Sequence, residues 1–152
     1  PLRSKQDVEA LQAGVRDGVI DCIASDHAPH ESDSKKKEFD HASFGILGFQ
    51  TTLPIILSLV EKGVLTMERA IACLTSDAAR CLRIASPEIK VGSLASLTLI
   101  DPNHQFVLTE ADIYSKSINT PFLEQSLKGH AMITWYNGRK VFDRANGGII
   151  HA

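Results

Sequence analysis

Apolar positions recur along this chain with three spacings, and each change of spacing marks a change of element. Val8, Leu11 and Val15 follow one another at helical intervals behind Ser4 and Asp7, which stand three apart like a capping box, so a helix is predicted from Ser4 to Val15. Gly14 and Gly18 weaken and end it. Ile20 to Ala24 is a short, nearly continuous apolar run, the pattern of a parallel strand buried on both faces. Phe49, Leu53, Ile56, Leu57 and Val60 form a second helical face, with Pro54 admissible if the helix starts near Thr51 or Thr52 and with Gly63 as its stop. Thr66 then caps a helix carrying Ala70, Ile71 and Leu74, and Ser76 with Asp77 caps a shorter one ending at Leu82.

Beyond Pro87 the period changes to that of strands. Ala95 to Ile100 reads as a strand ended by Asp101-Pro102-Asn103, and Gln105 to Leu108 as a second short one. Ile133 to Tyr136, Asn137-Gly138 and Arg139 to Phe142 form a hairpin pattern, the Asn-Gly pair being the one a type I′ turn favours. Trp135 and Tyr136 are expected on opposite faces. The stretch from Glu31 to Ala42 is polar and without period, and a lid is expected there. The expected division is therefore residues 1–85 and residues 86–152.

Composition narrows the class. A chain of 152 residues with 43% hydrophobic content can build one domain or two small ones around a core. A net charge of -2 without a basic stripe argues against nucleic acid, and Lys35, Lys36 and Lys37 are surrounded by Glu31, Asp33, Glu38 and Asp40, which reads as a solvated, mobile loop. No apolar stretch reaches membrane length and no signal peptide is seen. Cys22, Cys73 and Cys81, odd in number and without a CxxC spacing, read as small buried residues in a reducing cytoplasm.

The chemistry concentrates in Asp21-Cys22-Ile23-Ala24-Ser25-Asp26-His27-Ala28-Pro29-His30, where an apolar run ends in an acid and two imidazoles. An Asp after a strand is often only a helix cap, but Pro29 disfavours helix at Ala28 and holds Asp26, His27 and His30 on an irregular turn. In an α/β barrel that rim is where active sites lie.

Ile23 to His30 closely resembles the strand-eight motif of dihydroorotases, zinc-dependent amidohydrolases, in the bacterial type I branch. Pro1-Leu2-Arg3-Ser4 resembles the lead into the last barrel helix, and Ser43-Phe44-Gly45-Ile46 with Gly48 resembles the family's substrate loop. The fold so implied is α/β: the C-terminal part of a metal-dependent amidohydrolase (β/α)8 TIM barrel plus part of a small β-sandwich.

The resemblance makes Asp26 both a metal ligand and the catalytic proton carrier, and makes His30, Phe44 and Gly45 the substrate-binding residues. His27, beside the acid, is expected to orient it; His41 receives no role, and His104, His130 and His151 are expected at the surface. The implied activity is the zinc-dependent interconversion of dihydroorotate and N-carbamoyl-L-aspartate in pyrimidine biosynthesis. The alternatives are a non-catalytic structural partner of aspartate transcarbamoylase and a related cyclic amidase such as an allantoinase or hydantoinase.

The rest of such a site is not in these residues. No His-x-His occurs, the histidines at 27, 30, 41, 104, 130 and 151 do not supply the remaining ligands, and a full barrel takes about 250 residues. The expectation is a C-terminal portion, inactive alone, whose partners are the small-molecule substrate, the N-terminal barrel portion, and a second copy or aspartate transcarbamoylase. Its unpaired strands should expose edges that seek partners.

Overall fold

A computed structural model describes residues 3–86 and 88–150. Pro1 and Leu2 of the matched lead segment, Pro87 at the change of period, and the surface position expected of His151 lie outside the described residues.

Among the described residues, five α-helices precede a four-stranded sheet. Helix α1 spans Lys5–Arg16 and starts on the predicted capping box: Asp7 N–H donates to Ser4 Oγ at 3.2 Å, and Ser4 N–H donates to the Asp7 carboxylate at 3.2 Å. Its apolar face is only partly covered. Val15 packs on the core, while Val8 and Leu11 are exposed.

The predicted buried strand at 20–24 does not form a ladder. Asp21 and Ala24 are exposed, and the segment is held by scattered hydrogen bonds, Ile20 N–H to the Gly14 carbonyl at 3.0 Å and Ile23 N–H to the Cys73 carbonyl at 3.2 Å among them. A parallel strand needs a neighbour on each side to satisfy its backbone, and the described residues offer only an isolated parallel bridge between His27 and Ile46.

The polar stretch that follows is also more ordered than its composition predicts. Helix α2 spans Ser32–Lys35, and a 3₁₀ turn spans Phe39–His41. Buried Ser34 ties them together, its hydroxyl donating to the Glu31 carbonyl at 2.9 Å and its carbonyl accepting from Ser43 N–H at 3.1 Å. The segment expected to form a lid is thus folded and tied to the loop at Ser43.

Helix α3, Thr52–Glu61, carries Pro54 in its first turn, where a missing N–H costs no intrahelical bond. Helix α4, Met67–Leu74, begins as predicted, with Arg69 N–H donating to Thr66 Oγ1 at 3.1 Å. Ile56, Leu65 and Ala70 form the core, joined by Val15, Ile23, Leu59, Val60, Val64 and Leu74.

Helix α5, Ser76–Leu82, follows at once, but Ser76 and Asp77 do not cap it; Thr75 holds the cap position with no side-chain bond. Asp77 is buried and accepts from Arg69 at 2.5 Å and pairs with Arg80 at 3.0 Å. Arg69 spends its other donors on the carbonyls of Val15 at 2.7 Å and Ile20 at 2.5 Å. One largely buried guanidinium thus ties the end of α1 and the start of the 20–25 segment to α5, using the fork geometry lysine lacks. Of the cysteines, Cys73 is buried and Cys22 partly so, whereas Cys81 is exposed, against expectation.

Strands β1 (Leu97–Val107), β2 (Ser126–Tyr136), β3 (Arg139–Asp143) and β4 (Gly148–Ile149) pair antiparallel in that order. The two short strands expected around Asp101-Pro102-Asn103 are one strand with an irregularity, because the register shift between Asp101 and Gln105 absorbs the proline. Strand β2 starts at Ser126 rather than Ile133. The turn after it is as predicted, Asn137 at φ 48° and Gly138 at φ 79°, both positive as type I′ requires. Tyr136 is exposed and Trp135 half-buried. Helix α3 lies across β2, and no described helix is long and apolar enough to cross a membrane.

Candidate active site

The turn after residue 25 is built from backbone that most residues avoid. Asp26 (φ 45°) and His30 (φ 56°) are both left-handed, a conformation costing a non-glycine residue about 1 kcal/mol and tolerated best by short polar side chains. Both are exposed. Among the described residues no hydrogen bond or ion pair engages the Asp26 carboxylate. The His30 carbonyl accepts from the Ser117 hydroxyl.

The segment 43–49 docks on this turn. Ala28 N–H donates to the Ile46 carbonyl at 3.0 Å beside the His27–Ile46 bridge. Gly45 sits at φ 116°, and a Cβ there would run into the Ala28 carbonyl. A glycine is therefore required here by the loop's close approach to the turn. Phe44 is 85% exposed. The structure thus brings Gly45 against the turn between Asp26 and His30 and leaves the Phe44 ring facing solvent.

His27 does not orient Asp26. Its Nδ1 accepts from Gly48 N–H at 3.1 Å and Phe49 N–H at 3.3 Å, and its ring stacks on Phe49. Two further residues, missed in the sequence, grip the loop from the other side. Lys35 Nζ donates to the carbonyls of Ser43 and Gly45, both at 2.5 Å, and Asn119 Nδ2 donates to the Gly45 carbonyl at 2.8 Å. Neither carried a local signal, since a lysine among acids reads as solvated and Asn119 acts across 74 positions.

The remaining histidines divide. His41 lies exposed in the 3₁₀ turn at 39–41. His104 and His130, expected at the surface, lie half-buried in β1 and β2 with their rings 5.8 Å apart, because β2 extends far enough to bring His130 into the ladder. Burial pushes the His130 pKa down, as do the charges of Arg144 and His104, while the Ala131 carbonyl and Asp112 act the other way. Arg144 donates to Nε2 at 2.9 Å and Nδ1 meets the Ala131 carbonyl at 2.6 Å, an arrangement that suits the neutral ring. A cavity of about 490 Å³ lies here, between Phe49, Leu53 and the sheet, and its lining does not include Asp26 or His30.

Among the described residues no three His, Cys, Asp or Glu side chains are placed to hold a metal ion. Asp26 offers one carboxylate, whereas a zinc site takes three or four protein ligands. The donor set of the described residues does not by itself fit a metal.

An exposed acid on a left-handed turn, capped by a glycine loop, carried by helices and a C-terminal antiparallel sheet, defines a class. The chain belongs to the Amidohydrolase family, which matches residues 2–141. Within it the chain is similar to dihydroorotases. That of Syntrophotalea carbinolica is 45% identical over 139 residues, covering 91% of this chain and 33% of the relative. That of Pelobacter propionicus is 44% identical over 144 residues, covering 95% and 34%. The chain thus spans about a third of the length of these curated relatives.

Among solved structures, the L-hydantoinase (dihydropyrimidinase) from Arthrobacter aurescens superposes with a TM-score of 0.83 at 28% identity, over 94% of this chain and 33% of the other. The inactive dihydroorotase-like domain of the Chaetomium thermophilum CAD-like multifunctional protein, at 19% identity and a TM-score of 0.69 over 98% of this chain and 39% of the other, shares the fold.

Proposed function

We propose that this chain supplies the acid and the substrate loop of a dihydroorotase, which hydrolyses the cyclic amide of (S)-dihydroorotate reversibly to N-carbamoyl-L-aspartate in cytoplasmic pyrimidine biosynthesis. The observation that carries the reading is the docking of 43–49 on the Asp26–His30 turn, through the Ala28–Ile46 hydrogen bond and the glycine at 45. It puts a carboxylate with no other partner among the described residues beside a loop able to present backbone groups to a ring.

In this reading Asp26 takes the proton of the attacking water as oxygen adds to the amide carbon. It then returns that proton to the ring nitrogen as the C–N bond breaks. His30, four residues on, meets the substrate's carboxylate, and Phe44 and Gly45 meet its ring. Zinc, with most ligands supplied by barrel strands outside these residues, belongs to the same reading, Asp26 adding one carboxylate.

The test is complementation: the chain is co-expressed with the part of the 45%-identical dihydroorotase that it does not match. The pair, supplied with zinc, is expected to turn over dihydroorotate, and neither half alone. Asp26→Ala should lower kcat at least about a thousandfold, and His30→Ala should raise KM about tenfold with kcat little changed. A folded pair that ignores dihydroorotate but opens hydantoin or allantoin would move the chain to another cyclic amidase. A folded, inactive pair that binds aspartate transcarbamoylase would make it a structural partner.

A further inference from the structure

Lys35 stands at the end of α2, in a run of lysines and acids where a side chain ordinarily reaches into water. Instead it is half-buried, and its ammonium lies 2.5 Å from the Ser43 carbonyl and 2.5 Å from the Gly45 carbonyl. Among the described residues it forms no salt bridge, so these two carbonyls are the partners of its charge. Its reach is fixed from behind: buried Ser34 accepts from Ser43 N–H at 3.1 Å, joining α2 to the loop one residue before the lysine crosses it. Asn119 completes the grip with its own bond to Gly45 at 2.8 Å.

The two carbonyls belong to the peptides before Phe44 and after Gly45, bracketing the Phe44–Gly45 pair. In a planar trans peptide the C=O and the following N–H point in opposite directions. Fixing the Ser43 carbonyl on Lys35 therefore turns the Phe44 N–H away from α2. Fixing the Gly45 carbonyl turns the Ile46 N–H the same way, and Ile46 is the residue bridged to His27. One ammonium thereby sets the peptide planes on either side of the Phe44–Gly45 pair, and it leaves a positive charge directly behind them.

We propose that Lys35 is a positioning residue for the substrate loop: it fixes the Ser43–Phe44 and Gly45–Ile46 peptides so that the Phe44 N–H faces the ring of a cyclic amide, and its charge favours an anionic one. This rests on the dihydroorotase reading, and it makes α2 a strut beneath the loop.

The experiment uses the complemented pair described above, with Lys35→Met and Lys35→Arg in this chain. Lys35→Met keeps the length of the stem and removes the donors; Arg carries a fork able to span two carbonyls. For Lys35→Met, KM for dihydroorotate is expected to rise about tenfold with kcat within about threefold, the signature of lost binding common to ground and transition states. Backbone amide exchange in 43–46 should speed up about tenfold, and Lys35→Arg should recover both measures to within about threefold. A purely structural lysine would lower the active fraction, seen as kcat, and leave KM unmoved; that result overturns the proposal, as does wild-type exchange in Lys35→Met. If the wild-type pair fails to turn over dihydroorotate, the enzyme reading falls, yet the exchange rates still decide whether Lys35 sets the loop.

Discussion

The imidazole of His27 lies flat on the ring of Phe49, 3.9 Å between centroids and 7° from parallel. The stack aims Nδ1 at the Gly48 and Phe49 N–H groups, just ahead of α3, so His27 joins the acid's turn to the segment that leads into that helix. His27→Ala removes the acceptor of both N–H groups and should cost about 1–3 kcal/mol in urea unfolding. His27→Asn, whose side-chain oxygen can stand where Nδ1 stands, should recover most of that loss. Equal losses in the two variants would show that the stack matters and the hydrogen bonds do not.

Gly45 admits no side chain. Gly45→Ala combines φ 116° with a collision against the Ala28 carbonyl, a backbone atom with little room to give. The expected cost is about 2 kcal/mol or more, with the Ala28–Ile46 hydrogen bond lost. Amide exchange at Ala28 reads it directly, and unchanged protection would refute the clash.

Arg69→Met should destabilise the chain by about 3 kcal/mol. Asp77 would stay buried with Arg80 as its remaining partner, which keeps the loss at the low end for a broken buried pair. The double variant Arg69→Met, Asp77→Leu should regain part of it, since no uncompensated charge is left. Calorimetric melting of both variants checks this; an undiminished loss in the double variant would mean that the bonds to Val15 and Ile20 carry the effect.

His130 gives the sheet a pH dependence. Its pKa is lowered from the ordinary value of 6.5, first by burial. The unfolded chain therefore binds a proton at a pH where the folded chain does not. Its contribution is fully present above 6.5 and is lost as pH falls through the depressed folded value. Melting temperature followed from about pH 7.5 to about pH 5.5 should fall less steeply in His130→Phe than in the parent. Parallel slopes would remove His130 from the linkage.

Several elements were legible from neighbouring residues alone. The Ser4–Asp7 box, the Thr66 cap and the Asn137-Gly138 turn each close within a few positions, and each is found where its local chemistry puts it. The placing of Asp26 and His30 on a turn beyond an extended segment was legible for the same reason, Pro29 being a local constraint.

What the sequence left open depends on partners far along the chain. Ile20 to Ala24 has the composition of a buried strand, but a strand is made by its neighbours, and among the described residues the nearest strand pairing is the isolated His27–Ile46 bridge beyond the run. Asp77 reads as a cap until Arg69, anchored on Val15 and Ile20, claims it. His130 reads as surface until β2 extends to Ser126 and faces it to His104.

The pattern of apolar residues, caps and turns thus determined the kinds of element and the position of the acid, because those follow from short-range backbone sterics and hydrogen bonding. Only the tertiary structure decided that His27 holds α3's approach rather than Asp26, and that Lys35 and Asn119 hold Gly45. A polar side chain's partner is whichever group the fold brings within about 3 Å, and that distance is not written in sequence spacing.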